Sequence, residues 1–280
     1  MMKYYRPETV KKTLKLLGSQ TEVCTPLYFP PRAKHLSQWQ GDALIDLSNL
    51  GLDTIKEKSK EIAVGSMVSF ETLAKSEIIH NRWDGVLSEA AHLSATGAMR
   101  NLSTVGGVLL NPNFPAEVIL VFLALDAVVI LLDENGKEVR IPIEAFLNDG
   151  KPTLERGMLI KEVILPIRKN IHCALERVSR SKSDGSIVSV VVKGELTQKT
   201  AHNVRIAVFG ANPAPKRYHS AESYLSDKPF TYKLAESIEE KIQDETEAVG
   251  DYRGSAEYRE AMAGVLTKRA LISLKKMMKA

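Results

Sequence analysis

Thr104-Val105-Gly106-Gly107 is the segment of this chain best suited to chemistry. Consecutive glycines let a backbone approach an anion closely and aim amide N–H groups at it, and such nests hold the pyrophosphate of nucleotide cofactors. Thr104 adds a hydroxyl donor and Arg100 a positive charge nearby. The same residues also suit an ordinary tight turn that needs positive φ. Arg177, Arg180 and Lys182, followed by Asp184 and Gly185, form a basic cluster. Such a cluster either screens an anion or lies in solvent at a strand end.

Other catalytic signatures are missing. The chain has no Gly-x-Ser-x-Gly elbow, no phosphate loop ending in Gly-Lys-Ser/Thr and no Gly-x-Gly-x-x-Gly. None of the six histidines (His35, His80, His92, His172, His202 and His219) lies three or four residues from another, so no helix offers a histidine pair to a metal. The two cysteines, Cys24 and Cys173, are too few for an iron–sulfur cluster, which takes about four thiolates. They point to no disulfide framework, and a reducing cytoplasmic setting is expected.

The elements that must position these residues belong to a soluble globular chain. Its 280 residues are enough for one large domain or two ordinary ones, and 44% hydrophobic with 26% charged residues excludes disorder as the main state. A net charge of +4 over this length does not point to nucleic acid. The longest apolar stretch, Val118 to Leu132, is interrupted by Asp126 and falls short of the roughly 20 residues a membrane span needs. No signal peptide is expected, because Met1-Met2-Lys3-Tyr4-Tyr5-Arg6 opens no apolar run.

Pro7, the stripe Val10, Leu14 and Leu17, and Gly18 predict an opening helix. Cys24 to Arg32 reads as a loop stiffened by prolines. Strands are expected at Ala43 to Leu47 and Glu61 to Gly65, and a helix from Phe70. Ala116 to Leu125 reads as helix, and Ala127 to Leu132 pairs with Lys137 to Ile143 across an Asn135-Gly136 turn. Leu159 to Ile167 is a further strand. Three more follow at Cys173 to Val178, Ile187 to Leu196 and Val204 to Gly210. A helix then uses Leu234, Ile238 and Ile242. A last one starts at Ser255 with Ala261, Met262, Val265 and Leu266 inward. Strands followed by terminal helices make an α+β unit, with a boundary near residue 168.

Taken together, several motifs resemble the FAD-binding medium subunit of the molybdenum hydroxylases, the xanthine dehydrogenase family, over essentially the whole chain. Arg100-Asn101-Leu102-Ser103-Thr104-Val105-Gly106-Gly107 is similar to that family's second FAD loop. Ile62 to Val68, Ala124 to Ala127, Ser179-Arg180 with Asp184, Gly210 to Arg217, and Asp251 to Arg259 match other family segments. The resemblance implies an α+β chain. A two-subdomain FAD-binding fold of the molybdopterin dehydrogenase type would cover 1–168, with subdomains of about 1–60 and 61–168, and a C-terminal α+β domain 169–280. It implies electron transfer from a molybdenum-cofactor large subunit, through a [2Fe–2S] small subunit, to FAD here and on to NAD or another acceptor. It implies Arg100, Asn101, Thr104, Val105, Gly106, Gly107, Glu117, Lys34 and Asp184 as cofactor-binding residues, with no catalytic residue and no metal.

The first FAD loop departs from the family. Where the family reads roughly Ala-Gly-Gly-Thr-Asp-Leu, this chain has Cys24-Thr25-Pro26-Leu27-Tyr28-Phe29, with Lys34 in the downstream place. Pro26 has no N–H for a phosphate, and Thr25 lacks glycine's conformational freedom. Val108 stands where Asn is usual and Asn113 where Asp is common, while Glu117 keeps an acid. FAD is therefore expected to bind more weakly than with a Gly-Gly loop. A flavin-free structural subunit stands as the second reading.

Overall fold

The computed structural model describes residues 2–29, 41–113, 117–152, 154–181, 184–197, 200–229 and 231–277. The fold is α+β, and the described residues form three sheets. The first holds Lys3–Tyr5, Ala43–Ile45 and Cys24–Pro26, all parallel with Ala43–Ile45 in the centre. The helix Val10–Leu17 is capped by Thr9, whose hydroxyl accepts from Lys12 N, and it buries Thr13, Leu14 and Leu17. Cys24–Pro26 is thus a strand, not a loop. Three residues are too few to show alternation, and Pro26 is tolerated because the strand lies at a sheet edge.

The second sheet is antiparallel throughout, in the order Ile55–Lys58, Glu61–Gly65, Leu159–Pro166, Val128–Leu132, Glu138–Pro142. The expected Asn-Gly hairpin forms, with Gly136 at φ 80° where a side chain would be strained. Between Gly65 and Val128 the chain runs through the helices Phe70–Lys75, Val86–Leu93, Gly97–Leu102, Val105–Leu109 and Glu117–Ala124. Every residue of the last of these is buried.

The third sheet runs Lys216–Arg217, Thr200–Phe209, Val188–Thr197, Ile171–Val178, again antiparallel. Strand alternation divides its side chains between two cores. Val188, Val190, Val192, Val204, Ile206 and Val208 face the C-terminal helices, while Val191, Ala207 and Phe209 join the core that contains the Glu117–Ala124 helix. The expected helix through Leu234, Ile238 and Ile242 is broken into Tyr232–Glu236 and Ile238–Asp244. Ser237 stands at the break and donates to Leu234 O at 2.9 Å. The long helix Ala256–Met277 presents Ala263, Leu266, Ala270, Leu271 and Leu274 inward, whereas Ala261 is exposed. Two carboxylates tie the sheet to the rest of the chain. Asp126 accepts from Arg205 Nε at 3.0 Å and Arg217 Nη1 at 2.8 Å, and Asp84 accepts from Cys173 N at 2.9 Å. Among the described residues, no helix is long and apolar enough to cross a membrane.

Candidate functional site

Thr104 caps the short helix Val105–Leu109, with its hydroxyl accepting from Gly107 N at 3.1 Å. Gly106 and Gly107 therefore lie in a first helical turn, and neither has positive φ. The tight-turn reading of this glycine pair does not hold. Gly106 is demanded by close approach instead, since a Cβ there would lie 2.3 Å from Cδ1 of Tyr28.

Each amide along this turn has a partner in the chain. Thr104 N donates to Phe29 O at 2.7 Å, Val105 N to Val68 O at 3.1 Å, Gly106 N to Ser66 O at 2.7 Å and Val108 N to Thr104 O at 3.1 Å. The Thr104 hydroxyl also accepts from Phe29 N at 3.2 Å. Tyr28 anchors this arrangement. Its hydroxyl donates to Ile160 O at 3.0 Å and accepts from Ile160 N at 2.8 Å. The ring is buried, and burial pushes the hydroxyl pKa well up.

Among the described residues, a cleft of about 700 Å³ is lined by Leu93, Thr96, Gly97, Arg100, Arg177 and Ser179, with His92 and Ala95, and not by the glycine turn. It brings Arg100 together with Arg177 from the third sheet. Arg100 Nε lies 2.8 Å from Glu71 Oε2, and its Nη1 donates to Ala95 O at 3.2 Å and His92 O at 3.3 Å. Glu117 is buried, with Ser94 Oγ and Ser189 Oγ each at 3.1 Å and Arg177 Nε at 3.5 Å. It is an internal clamp between segments rather than a group facing the cleft. Among the described residues Asn101 donates along its own helix, to Gly97 O at 3.1 Å, and Asp184 is exposed, its carbonyl accepting from Arg177. Lys34 and Lys182 lie outside the described residues. Among the described residues, no group of three or more His, Cys, Asp or Glu could hold a metal.

Glu71 was not singled out by sequence spacing, because its partner Arg100 lies on a different helix. The Lys75 ammonium first, then the Arg100 guanidinium, hold its carboxyl down to about 2 from an ordinary 4.5. Its contribution to stability is therefore full above pH 4.5 and fades as pH falls toward 2. In an acid titration followed by carboxyl ¹³C NMR, Glu71 is expected to titrate near 2, and a midpoint at 4.5 would show that these ion pairs do not form.

Two family models account for the chain. The FAD binding domain in molybdopterin dehydrogenase matches residues 1–168, and the CO dehydrogenase flavoprotein C-terminal domain matches 174–274. The chain belongs to the FAD-binding medium subunits of the molybdenum hydroxylases. It is a subunit type of oxidoreductase complexes. The carbon monoxide dehydrogenase medium chain of Hydrogenophaga pseudoflava is 27% identical over 274 residues, covering 96% of this chain and 95% of that one. The xanthine dehydrogenase FAD-binding subunit of Escherichia coli O157:H7 is 23% identical over 266 residues, covering 92% and 87%. In three dimensions, the structure of carbon monoxide dehydrogenase from Hydrogenophaga pseudoflava that lacks the Mo-pyranopterin moiety superposes with a TM-score of 0.89 at 27% identity, covering 98% of this chain and 97% of that one.

FAD is the cofactor such a medium subunit implies, and the residues of this one do not fit its pyrophosphate as the chain is folded. A nest needs free amides. Here the amides from Thr104 to Val108 are used internally, and the Tyr28 ring covers Gly106. Tyr28 carries no signal of its own in the sequence beyond standing in the altered loop. Its importance comes from where the loop lands.

Proposed function

We propose that this chain is the medium subunit of a heteromeric molybdenum hydroxylase that also contains a molybdenum-cofactor large subunit and a [2Fe–2S] small subunit. The observation that carries this reading is the match of both family domains, in order, along a chain that superposes over nearly its full length on a carbon monoxide dehydrogenase chain. The proposed division near residue 168 accords with the third sheet, whose first strand opens at Ile171. The complex is assigned to the reducing cytoplasm, in keeping with the two free cysteines, Cys24 and Cys173.

Two roles differ in the flavin. In one, FAD held by Thr104, Gly106 and Gly107 passes electrons to NAD or another acceptor, and the Arg-Asn-x-x-Thr-Val-Gly-Gly sequence supports it. In the other, the chain keeps fold and partner surfaces without flavin, and the occupied amides support it. The geometry favours the second. Affinity purification of the tagged chain from its native host is expected to recover two partners, with molybdenum and iron detected by elemental analysis. Recovery as a lone chain, free of both metals, would refute the assembly.

A further inference from the structure

We propose that Tyr28 and Phe29 form a built-in plug that closes the pyrophosphate nest of this subunit. The inference rests on the flavin-free reading above and assigns the closure to particular groups.

Three observations converge on this segment. The Tyr28 ring occupies the close approach to Gly106, where even one added carbon would lie 2.3 Å away. The Phe29 backbone takes the Thr104 amide and shares the Thr104 hydroxyl, so the donor set a phosphate would use is engaged by the chain itself. Tyr28 is then locked from its far end, because its hydroxyl both donates to and accepts from the Ile160 backbone in the second sheet. Moving the plug would break that pair of hydrogen bonds and uncover a buried aromatic ring, so an incoming phosphate would have to displace a packed element. Nor does the strand before it offer a full set of donors, since Pro26 carries no N–H.

The plug predicts a gain of binding. FAD is titrated onto the full-length chain and onto the complex, and binding is read from flavin absorbance and fluorescence quenching. The triple variant Thr25→Gly, Pro26→Gly, Tyr28→Ser is expected to bind FAD about a hundredfold more tightly than wild type, the equivalent of two recovered charge-assisted hydrogen bonds. Tyr28→Phe keeps the ring but loses the lock on Ile160, and is expected to gain far less than the triple variant. A wild-type chain without flavin and a triple variant no better would overturn the plug and leave the flavin-free reading standing. Wild-type complex that retains stoichiometric FAD through gel filtration would overturn both. A second measurement needs no flavin. Gly106→Ala is expected to lower the denaturation midpoint in wild type, and much less in the Tyr28→Ser background, where the ring it meets is gone. Equal losses in the two backgrounds would show that Tyr28 does not cover Gly106.

Discussion

Replacing Arg259 with alanine is expected to lower the unfolding free energy of this chain by about 3–5 kcal/mol. Arg259 is 3% exposed on the long C-terminal helix. Its Nη1 donates to Ile187 O and to Gly210 O, both at 2.8 Å, and its Nε donates to Gly254 O at 3.3 Å. Those carbonyls come from separate segments around the third sheet, so one guanidinium joins the terminal helix to the sheet it covers. Nη2 completes the set on Asp251. Burial alone would raise the Asp251 carboxyl, but the hydrogen bonds from Arg253 and then Arg259 outweigh it and hold the group below its ordinary range. Alanine takes this donor from the Ile187 and Gly210 carbonyls in a site where water enters poorly, while Gly254 O keeps the amide of Asp251. Lysine keeps the charge but not the fork, and is expected to recover less than half of the loss. Arg253→Ala is the control, because that side chain is 23% exposed and its ion pair with Asp251 is worth at most about 1 kcal/mol. Urea denaturation at neutral pH reads all three. A loss below about 1 kcal/mol for Arg259→Ala would show that the helix is held by its apolar face alone.

Glu117→Ala is expected to cost a similar amount, about 3–5 kcal/mol, because it strands a buried cation. Glu117 opens the buried Glu117–Ala124 helix, where a carboxylate is favoured by the helix dipole. Its partners come from three places in the chain, Ser94, Arg177 and Ser189. Arg177 is only 11% exposed; its Nη1 and Nη2 donate to Leu93 O and Asp184 O, whereas its Nε has no hydrogen bond among the described residues, and the Glu117 carboxylate at 3.5 Å is its counter-charge. Removing Arg177 as well, in Glu117→Leu with Arg177→Met, is expected to restore most of the loss, since an apolar pair of similar volume leaves no unpaired charge. Wild type, Glu117→Leu, Arg177→Met and the double variant form a cycle whose unfolding free energies give the coupling. Additive losses would mean that the two side chains do not compensate one another.

Much of the frame was legible along the chain. Asn135-Gly136 between two apolar runs specified a hairpin, and the folded loop runs from Asp133 to Lys137 with Gly136 in the left-handed conformation it favours. Ser255 opens the last helix as its hydroxyl and place predicted, its Oγ accepting from Tyr258 N at 3.2 Å, because hydroxyl caps act over three residues. The motif set as a whole carried the family. Signals shorter than a period were lost. Cys24–Pro26 is too brief to alternate, and the break at Ser237 follows from a side-chain hydrogen bond that apolar spacing does not register.

The site was decided in three dimensions. Phe29 and Thr104 are 75 residues apart, and Tyr28 and Ile160 are 132 apart. A glycine pair written in the sequence offers amides but does not say which acceptor will reach them. Tertiary packing supplied that acceptor from a distant loop, and the ring that came with it. Glu117 shows the same division. Its type and place matched an acid of the family's flavin site, and folding surrounded it with Ser94, Arg177 and Ser189 instead. Local spacing determines which groups can donate or accept, whereas the long-range contacts of the folded chain determine whether they remain available to a ligand.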